Sequence, residues 1–266
     1  MSLPGKVLVT GGGSGIGEAI ALRLAAQGSA VLIVGRDAAK LQAVAARAPQ
    51  RISVLAADLT VDADRRRVVE HARTWQGTGI DALINNAGVS QHGFFEDLDA
   101  DAITRILGSN LLAPILLTQA LLPHLKTRPD AHVVNLGSAF GFIGYPSQTV
   151  YSASKFGIRG FTEALRRELA GTTVSVHHIA PRATRTPMNA GTMDRLNAKL
   201  GNQVDAPERV ADAVLHAIAR GRNESVIGWP ERFFTRLNGV FPSLVDDALI
   251  KQLPVIRRFI QGDLRS

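Results

Sequence analysis

The chain has 266 residues, a size that suits one large domain, and 45% of them are apolar while only 5% are aromatic, so an aliphatic core is expected. It contains no cysteine, which excludes disulfides and thiolate metal sites and fits a reducing cytoplasm. The net charge of +7 suits attraction to an anion, but no nucleic-acid motif accompanies it and acidic residues are interspersed, so nucleic acid is set aside as a partner.

Leu3 to Lys6 leads straight into an apolar run at Lys6–Thr10 with no signal-peptide pattern, which points to a cytoplasmic protein. Strand and helix patterns then alternate. Helical spacing follows at Gly15–Gln27, where Ile16, Ile20 and Leu24 stand four apart. Further strands are predicted at Ala30–Gly35, Ile52–Ala56, Ile80–Asn85, His132–Leu136 and Val174–Ile179, with helices at Asp37–Ala48, Thr60–Trp75, 100–125 and 151–170. Apolar β-branched runs separated by helices describe a parallel sheet covered on both faces. The expected fold class is α/β, a Rossmann-type doubly wound sheet of about seven strands with helices on both faces. Leu111–Leu125 is strongly apolar but carries Pro114, Gln119 and Pro123. It reads as a buried or interface helix, because a membrane span needs about 20 apolar residues.

The main body is read as residues 1–228, and 229–266 as a helical C-terminal extension of it. Pro230, Pro242 and Pro254 divide this tail into three short pieces. Phe233, Leu237 and Phe241 form a helical stripe, and Ser243 with Asp246 resembles a helix start. Two roles are weighed for the tail. The preferred one is a lid that shapes an apolar pocket; the other is contact with a membrane surface, modest in strength because six basic residues stand against four acidic ones.

Thr10–Gly17 reads TGGGSGIG, after a strand and opening a helix. Small residues there let the backbone approach a pyrophosphate, and free N–H groups at a helix start favour its charge. This makes Thr10, Gly11, Gly13, Ser14, Gly15, Ile16 and Gly17 candidate dinucleotide-binding residues. The second strand ends at Val34 and is followed by Gly35 and Arg36. No acid stands at the strand end, and Arg36 can pair with a 2′-phosphate, so NADP(H) is read as the cofactor over NAD(H). Asp37 is read as a cap for the next helix.

Tyr151 and Lys155 stand four apart on one predicted helix, so both project from one face. A proton-exchanging tyrosine needs its pKa brought down from about 10, and a neighbouring ammonium does that. Ser138 follows the predicted strand His132–Leu136, at the sheet edge where ligands bind, and its hydroxyl can hold a substrate oxygen. Between Ser138 and Tyr151, Phe140, Phe142, Ile143 and Tyr145 either line a pocket or pack the loop. Gln91 and His92 are candidates for the pocket border. His177 and His178 point to opposite faces of a strand with no further ligands beside them, so no metal is expected.

With these motifs in order, the chain resembles the short-chain dehydrogenase/reductase family, in its single-domain oxidoreductase branch. The resemblance rests on TGGGSGIG at 10–17, Asp58-Leu59, NNAG at 85–88, Asn110, Ser138 and YSASK at 151–155. It implies carbonyl–alcohol interconversion by hydride transfer on a small-molecule, apolar substrate, and a homo-oligomer, dimer or tetramer, built on the helices at 101–125 and 151–170. It implies Tyr151 as general acid/base, Lys155 as its partner and nicotinamide-ribose contact, Ser138 as holder of the substrate oxygen, and Asn110 as holder of a relay water. Asp58 and Leu59 would meet the adenine. Asn85, Ala87 and Gly88 would line the cofactor groove, with Asn86 bracing the sheet. Pro181, Thr184 and Thr186 would border the nicotinamide, but Arg182 stands where the family has glycine. That arginine either faces an anionic substrate group or lies solvated in a loop. The rival function is a dinucleotide-binding sensor or scaffold without turnover.

Overall fold

The computed structural model describes residues 3–263. Seven parallel strands form one sheet: β1 Lys6–Thr10, β2 Ala30–Gly35, β3 Ile52–Ala56, β4 Ala82–Asn85, β5 Ala131–Leu136, β6 Val174–Ala180 and β7 Glu224–Val226. Their order across the sheet is β3-β2-β1-β4-β5-β6-β7. The order reverses direction between β1 and β4, so the crevice that receives ligands in such sheets lies beyond Thr10 and Asn85.

Both faces are covered, which is why β1 and β2 are aliphatic along most of their length and the polar residues of β5 and β6, such as His132, Asn135 and His178, are buried as well. Helices α1 Gly15–Ala26, α2 Ala38–Ala45 and α8 Pro207–Arg220 bury Ile20, Leu24, Leu41, Val214 and Ile218 against one face. The other face takes α3 Asp62–Thr74, α5 Ala113–Leu125 and α6 Thr149–Glu168 through Val68, Leu117, Leu121 and Leu165. Helix α4, Ala100–Leu107, continues into α5 through a π turn at Gly108–Leu112. The run 100–125 is long and apolar enough to cross a membrane by length and composition. Ile106, Leu117, Leu121 and Leu125 are nonetheless fully buried in this fold, so it works as a core helix.

Three further helices complete the described chain: α7 Thr192–Leu200, α9 Trp229–Val240 and α10 Pro242–Asp263. The tail therefore makes two helices, where three pieces were expected from its prolines. Pro230 and Pro242 sit in first helical turns, where a missing N–H costs nothing. Pro254 lies inside α10 and does not break it. An interior proline costs about 3 kcal/mol. Val245 before it and Ile256 and Ile260 after it are buried, each contributing roughly 1.5–3 kcal/mol. The last two pack with Tyr145, Met193 and Leu196, so α10 closes over α7 and the loop before α6. Residues 264–266 of the tail lie outside the described residues.

Candidate active site

The glycine loop opens onto the crevice because its backbone has no room for side chains. Gly11 has φ +67°, and a Cβ there would stand 2.9 Å from the Ala87 Cα. A Cβ at Gly17 would collide with the Gly11 carbonyl oxygen, so this glycine seats α1 against the loop. Ser14 caps α1 with extended backbone but makes no side-chain capping bond. The first-turn N–H groups of α1 have no intrahelical partner, a setting that fits a pyrophosphate.

Two cavities meet along Gly11, Ser14, Ala87 and Gly88. The smaller, about 220 Å³, is bordered by Gly13, Arg36, Asp58 and Leu59, together with Lys40. The larger, about 540 Å³, takes in Gly15, Ile16, Ser138, Tyr151, Lys155, Pro181, Thr184 and Thr186. The structure thus brings the glycine loop and the Tyr-Lys-Ser group to one continuous crevice.

Four of the candidate residues stand behind its walls. Thr10 is buried, and its Oγ1 accepts from the Asn86 and Ala87 N–H groups at 3.0 and 2.9 Å. Gly17 is packed against the loop. Asn85 differs from expectation: its Nδ2 donates to Thr118 and Asn135 at 3.0 and 2.8 Å, on the α5 side of the sheet. Successive strand residues alternate faces, so the next residue, Asn86, reaches the crevice, and its Nδ2 donates to the Thr10 carbonyl at 2.9 Å. Asn110 sits in the π turn, where its Oδ1 accepts from the Val89 N–H at 2.8 Å and its Nδ2 donates to the Val89 carbonyl and to Ser154 Oγ. Its side chain braces the strand end rather than reaching into the cavity.

Ser138 caps a short turn after β5, and its Oγ accepts from the Phe140 N–H at 3.1 Å. Lys155 is buried; its Nζ lies 5.6 Å from the centre of the Tyr151 ring and donates to the Leu136 carbonyl at 2.9 Å. Burial pushes the Tyr151 phenol up to about 12, against a smaller lowering by its hydrogen bond with Ser138. Burial also brings Lys155 down to about 8. The chain by itself therefore raises the phenol, contrary to the lowering expected from the Tyr-Lys pair. Desolvation of both groups outweighs their mutual effect at this separation.

Asp37 caps α2, accepting from the Lys40 N–H at 3.1 Å, and this bond holds its carboxyl below the usual range. Arg182 is not solvated: it borders the larger cavity with its guanidinium held by two acids. It is buried, with Nε and Nη2 on the two oxygens of Asp205 at 2.9 and 2.8 Å and Nη1 3.3 Å from Glu231. His92 borders the larger cavity and hydrogen-bonds Gln148, a buried amide that also accepts from Ser90 at 2.9 Å. Gln91 turns out instead to Arg105. Phe140, Ile143 and Tyr145 line the cavity, while Phe142 packs under the Arg159 guanidinium at 3.8 Å. Sequence reasoning missed Lys40, Gln148 and the wall residues of α7 and the tail, Met193, Phe234, Leu244 and Leu249. Of the tail's wall residues helical spacing marked Leu237 alone, and spacing does not say what a face meets. Among the described residues no three His, Cys, Asp or Glu side chains cluster as metal ligands.

A glycine-rich turn at the reversal of a parallel sheet, opening beside a Tyr-Lys-Ser group, defines a class: dinucleotide-binding α/β oxidoreductases. A family model described as short chain dehydrogenase matches residues 5–197. An uncharacterized oxidoreductase of Staphylococcus epidermidis is 33% identical over 223 residues, spanning 82% of this chain and 93% of that protein. A short-chain dehydrogenase from Sphingobium yanoikuyae, solved in complex with NADPH, superposes with a TM-score of 0.76 at 30% identity over 92% of this chain and 96% of that one. The bulky-bulky ketone specific alcohol dehydrogenase from Comamonas testosteroni gives 0.76 at 29% identity, covering 92% and 95%. The chain belongs to the short-chain dehydrogenase/reductase family and is an oxidoreductase of it.

Proposed function

We propose that the chain interconverts an apolar ketone or aldehyde and its alcohol, using NADP(H) and Tyr151 as general acid/base. The observation that carries this reading is the shared wall of the two cavities, which sets Tyr151, Ser138 and Lys155 at the end of the glycine-loop crevice. When bound, the nicotinamide supplies the hydride or takes it up.

The protein's own residues handle the oxygen. Tyr151 keeps its proton at neutral pH and is set to donate it from Oη to a carbonyl oxygen. Ser138 Oγ accepts from the Phe140 N–H, and its hydroxyl is hydrogen-bonded to the Tyr151 phenol, which sets both groups toward the same oxygen. Lys155 supplies positive charge within the wall and offsets the negative charge that the phenol takes on as it gives up its proton. In the reverse direction Tyr151 would accept the alcohol proton as the phenolate, which the Lys155 charge stabilises.

Support for NADP(H) comes from Arg36 and Lys40, which border the smaller cavity while Asp37 is engaged as a helix cap. The Sphingobium relative was solved with NADPH, which agrees with this reading. Support for a bulky apolar substrate comes from Phe140, Ile143, Met193, Phe234, Leu244 and Leu249 in the wall of the larger cavity. The tail helices thus act as the wall of the pocket, as an extension of the 1–228 body.

We read the protein as a cytoplasmic homo-oligomer paired through α4–α5 and α6, where Leu112 and Phe156 are exposed. Light scattering tests this, and a monomer at all concentrations contradicts it. The reaction is tested by following NADPH absorbance across bulky and small ketones. Turnover with bulky apolar ketones is the expected result; none with any carbonyl or alcohol would remove the proposal.

A further inference from the structure

Helix α9 presents an exposed apolar stripe to the outside while Glu231, Thr235 and Asn238 face the body of the protein. Trp229, Phe233, Arg236 and Val240 follow helical spacing along one stripe. Trp229, Phe233 and Val240 are 74%, 50% and 69% exposed. On the opposite side Glu231 pairs with Arg182, Thr235 is buried, and the Asn238 Nδ2 donates to the Phe142 carbonyl at 2.8 Å. An ordinary surface helix has the reverse arrangement.

The outward stripe belongs to a larger patch. The Trp229 and Phe233 rings stand 6.0 Å apart, and Phe233 meets Phe234 edge-on at 5.5 Å. Phe241 and Leu244 extend it around the corner into α10. Phe234 and Leu244 also line the substrate cavity, so the patch borders its mouth. The exposed charge of α9 has one sign: Arg232 and Arg236 are exposed and have no ion-pair partner among the described residues, while Asp246 is exposed just past the corner. The sole acid of α9, Glu231, is turned inward. The outer side of α10 mixes Asp247, Lys251 and Arg258, so the apolar face is that of α9 and the corner.

We infer that α9 and its corner with α10 dock on an anionic lipid surface. Trp229, Phe233 and Phe241 enter the interfacial layer and Arg232 and Arg236 meet the headgroups. A second copy of the chain suits the face less well, because a two-fold contact would set these arginines against their own counterparts. Docking would present the cavity mouth to membrane-dissolved substrate, a consequence that rests on the apolar-substrate reading; the docking itself does not.

The test uses the full chain with phosphatidylcholine vesicles, plain or containing about one-third phosphatidylglycerol. Co-sedimentation with the anionic vesicles and a blue shift of Trp229 emission are expected, with buried Trp75 as the constant background. Arg232→Gln with Arg236→Gln should lower the partition coefficient about tenfold or more. Trp229→Ser with Phe233→Ser should abolish binding. Each variant should keep its thermal unfolding midpoint and its turnover of a water-soluble ketone. Absence of anionic-lipid binding overturns the inference, as does a particle mass that doubles in solution and is halved by Trp229→Ser with Phe233→Ser. Vesicle binding without turnover of any carbonyl would count against the reaction and leave docking standing.

Discussion

Arg182 grips Asp205 through two hydrogen bonds at 2.9 and 2.8 Å and extends its third nitrogen to Glu231 at the start of α9. One buried side chain thereby ties the loop after β6, the segment before α8 and the tail that walls the cavity. Removing one partner of a buried pair leaves an unpaired charge and costs about 3–5 kcal/mol. Arg209 also reaches Asp205, at 2.8 Å, so the lower end of that range is expected. Arg182→Ala should lower the unfolding midpoint by roughly 6–10 °C and raise KM for a bulky ketone more than for a small one. An unchanged midpoint would show that the tail is held without Arg182.

Acid should unfold the protein through its buried histidines. Burial brings His178 down to about 3 and lowers His132 and His177 as well, and His132 meets His177 at 3.1 Å. Unfolded histidine takes up a proton near 6.5, so below that pH the unfolded chain binds more protons than the folded one. Stability contributed by these neutral rings is full above about 6.5 and falls as pH drops toward 3. Denaturant midpoints from pH 7 to 4 check this, and His178→Phe should flatten the decline. An equal decline in wild type and variant would contradict it.

The sheet and the grouping of the glycine loop with Tyr151, Lys155 and Ser138 were legible before the structure because their signals are local in sequence. TGGGSGIG needs only its neighbours to form a tight turn, and the helical spacing of Tyr151 and Lys155 puts both on one face. The aliphatic strands β1 and β2 announced their burial on both sides. What escaped was non-local. Arg182 read as a loop residue because Asp205 and Glu231 stand 23 and 49 positions away. Pro254 read as a helix break because the burial that holds α10 across it comes from α7. Asn85 and Asn86 exchanged roles because the end of β4 decides which of the two faces the crevice.

Cofactor choice should follow the two basic residues at the smaller cavity. Arg36→Ala should weaken NADPH binding about tenfold or more and leave NADH binding nearly unchanged, with Lys40→Ala acting in the same direction. Titration of intrinsic or cofactor fluorescence measures both. NADPH affinity that does not fall in either variant would remove the 2′-phosphate contact.

Lys155 should set an alkaline limit on reduction. In the free protein it loses its charge near about 8, while Tyr151 holds its proton to about 12. The positive charge is present below about 8 and is lost as pH rises through it. The kcat/KM for reduction, which reports the free enzyme, should therefore be level near neutrality and fall above that value. A profile that stays level to pH 10 would contradict this account of Lys155.

The most direct measurement is ketone-dependent NADPH oxidation by Tyr151→Phe beside wild type, with NADPH binding measured on both. Phe keeps the ring and removes the one proton the reaction uses. The variant should bind NADPH with wild-type affinity and lose about 10²–10⁴-fold in kcat. Wild-type turnover by Tyr151→Phe would contradict the central claim that this phenol transfers the proton.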